Sequence, residues 1–155
     1  MTTRSLHDCL FVEQNAVLPQ TISQSASPDG VVGQDIDVRD YDSLLLALLM
    51  GDIDEMGSSP VGAADIQVLT EHADDNDGSP GTYEACPQRC IDGQTVDESG
   101  VFIVGGDDTQ AVSWGVITEK RWVRVTLLPV GLTNGGLVAV VALQGHAHLE
   151  PVPNT

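Results

Sequence analysis

Val112, Trp114, Val116 and Thr118 fall on every second position, and a few residues later Trp122, Arg124, Thr126 and Leu128 alternate with Arg121, Val123, Val125 and Leu127. A period of two places successive side chains on opposite faces of an extended chain, so this stretch reads as two strands. The same period recurs in Ala64, Ile66, Val68 and Thr70. Residues 101–104, Val-Phe-Ile-Val, form a short strand pattern closed by Gly105-Gly106. Amphipathic helical periodicity is weak throughout. Several short strands separated by turn residues point to an all-β fold, a single antiparallel β-sandwich of jelly-roll-like type.

Two turns organise the C-terminal half. Glu119-Lys120 sits between alternating runs, so residues 111–128 read as a hairpin. Asn134-Gly135 is a strong short-range hairpin signal and joins the strand ending near Pro129 to a last strand over residues 137–143. Residues 43–50, Ser-Leu-Leu-Leu-Ala-Leu-Leu-Met, favour helix locally. Their short length and their bounding by Asp42 and Gly51 instead indicate a strand buried on both faces. Residues 1–30 are weakly patterned and read as an extended N-terminal arm with room for one short strand. Residues 31–150 form the sandwich domain, and residues 151–155, with Pro151 and Pro153, form a tail. A chain of 155 residues fits this one-domain division.

Charge narrows the function classes. Six Lys+Arg stand against 23 Asp+Glu, a formal net charge of −17. Such a field repels phosphate backbones and anionic lipid, so neither nucleic acid nor a membrane is an expected partner. The N-terminus lacks the apolar core of a secretion signal, and no apolar run is long enough to span a bilayer. Three cysteines do not make a disulfide scaffold, and synthesis in a reducing cytoplasm is expected.

Motifs that carry chemistry are sparse. Cys86-Pro-Gln-Arg-Cys90 admits a zinc site completed by Cys9 and a histidine, a local disulfide, or two free thiols in a loop or short edge strand, and the last is preferred. Asp74-Asp-Asn-Asp-Gly-Ser79 resembles a calcium loop in composition, yet it fails the EF-hand spacing in either register and reads as an Asx-rich turn. His146 and His148 share one side of an extended segment without further ligands close by. Val104-Gly-Gly-Asp-Asp108 opens no helix and lacks the glycine spacing of a dinucleotide site. Serine-nucleophile, zinc-protease and P-loop motifs are missing, so no catalytic, cofactor-binding or metal residue is assigned and an enzyme is not expected.

The remaining signal is Lys120-Arg-Trp-Val-Arg124, a basic cluster on an acidic chain. Lys120, Arg121, Trp122 and Arg124 are the interface candidates, because Arg and Trp dominate hot spots and local positive charge suits an acidic partner surface. The alternative is that Trp122 is core, Lys120 and Arg121 cap a hairpin and Arg124 pairs with a neighbouring acid. Both readings can hold together.

The same segment carries a family resemblance. Ser113-Trp-Gly-Val-Ile-Thr-Glu-Lys-Arg-Trp-Val-Arg-Val-Thr126 resembles a stretch found in small virion proteins of tailed bacteriophages. Asp37-Val-Arg-Asp-Tyr-Asp-Ser-Leu-Leu-Leu and Val68-Leu-Thr-Glu-His-Ala-Asp-Asp, followed by Asp77-Gly-Ser79, are similar to further elements of that group. Asn76-Asp77 interrupts the second element, and Cys86 and Cys90 stand outside the pattern. The resemblance implies a β-sandwich virion protein and does not fix its position in the particle; the leading expectation is a capsid decoration or cement protein, a homotrimer on the outer surface of the virion, bound to the major capsid protein. A head–tail connector or tail component, and a glycan- or calcium-binding β-sandwich module, are the alternatives.

Overall fold

The computed structural model describes residues 10–53, 55–56, 63–106 and 111–147. Among these described residues, thirteen strands and one 3-10 turn are assigned. The first sheet has the order β1-β13-β4-β11-β9, from β1 (Leu10–Ile22), β13 (Gly136–Ala147), β4 (Tyr41–Met50), β11 (Ala111–Val116) and β9 (Ile91–Asp92). The second has the order β10-β5-β12-β2, from β10 (Val101–Gly105), β5 (Asp65–Ala73), β12 (Trp122–Val130) and β2 (Val31–Val32). Two short pieces extend it: β3 (Ile36–Asp37) beside β12 and β8 (Glu84–Ala85) beside β5. A separate ribbon joins β6 (Asp75–Asn76) to β7 (Ser79–Pro80). All these pairings are antiparallel.

The chain is therefore an all-β antiparallel sandwich, and alternation decides what it buries. Leu46 and Leu48 of β4, Trp114 of β11 and Val140 of β13 face inward from the first sheet. Ile66 and Val68 of β5 meet them, with Val123, Val125 and Leu127 of β12. Each such aliphatic side chain removed from water contributes about 1.5–3 kcal/mol. The Phe102 and Trp114 rings meet edge to face, their centroids 5.0 Å apart, which links β10 to the opposite sheet.

Several expectations are corrected. Residues 10–22 are not an arm: β1 pairs with β13 from Leu10↔Gly145 to Ile22↔Gly136, and Ala16, Val17 and Ile22 are buried. Shifts of register between Glu13 and Gln20 break the simple alternation that would have revealed this strand. Residues 1–9 and the tail at 151–155 lie outside the described residues.

Neither expected hairpin forms, because β11 and β13 belong to one sheet and β12 to the other. A two-residue type I′ turn needs positive φ at both central positions. Neither Glu119 nor Lys120 supplies it, and at Asn134-Gly135 only the glycine does, with φ +67°. There the Asn134 and Gly135 N–H groups donate to the Glu55 carboxylate, at 2.6 and 3.2 Å, and the chain crosses between sheets. The positive-φ pair is instead Asp77 (φ 55°) and Gly78 (φ 86°), which closes the β6–β7 ribbon.

Strand β4 is not buried on both faces. Leu44, Leu46, Leu48 and Met50 point inward, while Leu45 and Leu49 are 40% and 46% exposed.

Candidate functional site

The basic cluster enters β12 on the outward face of the six-stranded sheet. Arg121 Nε and Nη2 fork onto Asp37 at 2.7–3.2 Å, and its Nη1 donates to Asp75 Oδ1 at 2.8 Å. Trp122 is half-buried rather than core; its Nε1 donates to the same Asp75 oxygen at 3.2 Å, and the Arg121 guanidinium lies 4.7 Å from its ring centroid. Burial pushes the Asp37 carboxyl up, but hydrogen bonds from Arg121 and the Arg39 N–H outweigh it and hold the group below its ordinary 3.8. Arg124 donates twice to Glu71 Oε2, at 3.0 and 3.2 Å, and stacks 3.9 Å over the Tyr83 ring, whose hydroxyl donates to Asp35. Lys120 Nζ bridges Glu84 at 2.7 Å and Asp74 at 3.2 Å. The structure thus brings all four interface candidates together, and it holds the three cations in ion pairs within the chain. They tie the Asp77-Gly78 ribbon, β3 and β8 to β12.

Behind Lys120, His72 is buried. Its Nδ1 lies 2.7 Å from Thr118 Oγ1, and its Nε2 lies 3.3 Å from Glu84 Oε1. Burial and the Lys120 charge hold the imidazole below its ordinary 6.5, against the pull of Glu84. An open cleft of about 510 Å³ is lined by His72, Asp74, Arg89, Cys90, Thr118 and Lys120. Cys86 and Cys90 are free, buried thiols, and burial pushes Cys86 up to about 12, which leaves it a poor nucleophile at neutral pH. Among the described residues no three His, Cys, Asp or Glu side chains converge on a metal position. Cys9 and His148 lie outside the described residues. No buried side-chain polar atom among the described residues is left without a hydrogen-bond partner.

Sequence reasoning missed a second surface, the outward face of the five-stranded sheet. Val12, Leu143, Leu45 and Gly115 run across four strands in one row. Val141, Ala47 and Ser113 form the next, then Ala139, Leu49 and Ala111. Val12 is 50% exposed and Leu137 55%. On this face the described side chains of β13, β4 and β11 are uncharged, and the Asp92 carboxylate of the edge strand β9 lies beside Gly115. A solvated antiparallel face is ordinarily polar, and a contiguous apolar one marks a contact surface. The signal was present in residues 44–50, where an apolar residue at every position satisfies the core with one set and leaves the other set for something else.

No family model matches this sequence, and neither a curated protein nor a solved structure matches the chain. Among the described residues no helix is long and apolar enough to cross a membrane.

Proposed function

We propose that this chain is a virion structural protein that decorates or cements the outer shell of a tailed-phage particle and holds neighbouring major capsid subunits together. The observation that carries this reading is the set of exposed apolar side chains on the outward face of the five-stranded sheet, Val12, Leu45, Leu49 and Leu137, on a chain whose net charge is −17. Such a face serves protein contact, while the acidic remainder keeps the chain soluble and away from the packaged genome. The resemblance of residues 113–126 and of the segments starting at Asp37 and Val68 to phage virion proteins supports the same assignment. The work is mechanical: interface area buried on assembly opposes expansion of the shell.

Particles stripped of this protein and challenged by heat or low salt test the proposal. Stripped particles release DNA at a lower temperature than intact ones, and adding the purified chain back restores retention. Equal DNA retention with and without the chain overturns it.

A further inference from the structure

We infer that the free edge of β10 binds an extended segment of a partner protein that carries lysine or arginine, adding it to the six-stranded sheet as one more antiparallel strand. This goes beyond the virion role and does not depend on it.

The backbone of β10 selects a strand as the occupant. Val101 turns both of its peptide groups away from β5: its N–H donates to Asp97 Oδ1 at 3.0 Å, and its carbonyl accepts from the Asp97 N–H at 2.9 Å. In an antiparallel ladder successive residues face one neighbour and then the other. Phe102 and Val104 therefore bond to Val68 and Ile66 of β5, and the Ile103 N–H and carbonyl point outward with those of Val101. Among the described residues nothing beyond Asp97 pairs with this edge. An incoming residue opposite Ile103 exchanges two main-chain hydrogen bonds with it. The other edges are blunted. Strands β2, β3, β8 and β9 are two residues long, and β1 carries Pro19 and gives its Ala16 carbonyl to the Gln34 N–H at 3.0 Å. Strand β10 holds five residues without a charge or a proline, so it lacks the side chains that ordinarily close an edge to pairing.

Room for the segment is already present. An open groove of about 510 Å³ is lined by Gln88, Asp92, Gln94, Thr95, Phe102 and Ile103. Its far wall is held in place. Gln88 Nε2 donates to the Ile91 and Gln94 carbonyls at 3.2 and 3.0 Å, and Gln88 Oε1 accepts from the Val96 N–H at 2.8 Å. A preformed wall lowers the ordering cost of binding.

Charge selects a basic segment. Asp92 lines the groove, and Asp97 and Glu98 precede the strand that Asp97 caps. All three are exposed, and among the described residues none of them is in an ion pair. No cation among the described residues lines the groove. Lysine or arginine on the incoming segment meets these carboxylates, so the contact weakens as salt rises. A second copy of the chain brings the same acids to the same edge and is disfavoured.

The full chain, isotope-labelled and under reducing conditions, is titrated with a capped peptide of alternating valine and threonine with lysine at both ends, and its amides are followed by NMR. The expected result is saturable binding, weaker in about 0.5 M than in about 0.1 M salt. The largest shifts fall on the Ile103 and Gly105 amides, and hydrogen exchange of the Ile103 N–H slows. Methylating the peptide's backbone nitrogens removes its donors and weakens binding at least about tenfold. Replacing its lysines by glutamates weakens binding to at least the same degree, about tenfold. Ile103→Pro removes the outward donor of the edge and abolishes binding, whereas Ile103→Val retains it. The methylated peptide leaves the protein untouched and decides the matter if Ile103→Pro fails to fold. No saturable binding, equal binding of the methylated or the glutamate peptide, or shifts centred on β4 and β13 instead of β10 overturns the inference.

Discussion

The indole Nε1 of Trp114 donates to Thr70 Oγ1 at 3.0 Å, from β11 in one sheet to β5 in the other, in the middle of the core. Both residues are about 1% exposed. The bond fixes how the sheets sit over one another, since neither polar atom has water as an alternative. Thr70→Val leaves the indole N–H buried without a partner and costs about 1–3 kcal/mol. Trp114→Phe also leaves unfilled volume and costs more. Urea unfolding of both single variants and the double variant checks this; the double costs less than the two singles combined, because the orphaned group disappears with its partner.

Leu46 and Leu49 test the facing of β4. Leu46→Ala opens a cavity in a fully buried position and costs about 2–5 kcal/mol. Leu49→Ala, at a position 46% exposed, shifts stability by no more than about 0.5 kcal/mol. Equal losses contradict the inward–outward register of this strand.

Stability falls on acidification in two windows. His72 has a folded pKa below 6.5, so below pH 6.5 the unfolded chain binds a proton that the folded chain resists. Its contribution is complete above pH 6.5 and is lost as pH falls from there. Asp37 has a folded pKa below 3.8, so its contribution is present above pH 3.8 and is lost as pH falls further. Denaturant midpoints across this range show both declines, and His72→Gln flattens the one that begins near pH 6.5. A midpoint unchanged between pH 7 and pH 5 in the parent chain contradicts the buried, neutral imidazole.

Gly135 marks the crossing from one sheet to the other. A β-carbon there meets the Ile22 carbonyl oxygen, and φ is +67°. Gly135→Ala is therefore destabilising by about 1–3 kcal/mol, by strain and by displacement of β1. Thermal melts that show no loss contradict the path of residues 131–136.

Strands were legible in this sequence and their partners were not. The inward sets of β5, β10, β11 and β12 follow from alternation alone, because one face of each meets the core. Which strands pair depends on contacts distant in sequence: β13 lies between β1 and β4, with register Val140↔Val17 and Val140↔Leu48, and nothing local encodes that. Local turn chemistry misled at Glu119-Lys120 and Asn134-Gly135, where the apolar sets of both flanking strands face one core from opposite sides. It was informative at Asp77-Gly78, where both residues take positive φ. The basic cluster was visible, but its occupation was not, because Asp37, Glu71, Asp75 and Glu84 reach it from four separate strands. The apolar outer face was hidden for the opposite reason: a strand apolar at every position looks doubly buried until the fold shows that one side has no neighbour within the chain.

The central claim, that this chain works by occupying a particle surface, is tested most directly by quantifying it in purified virions alongside the major capsid protein and locating it radially by electron cryomicroscopy. The account predicts a fixed stoichiometric ratio to the shell subunit and density on the outer face of the capsid. Particles that assemble and retain their genome without any copy of the chain contradict it.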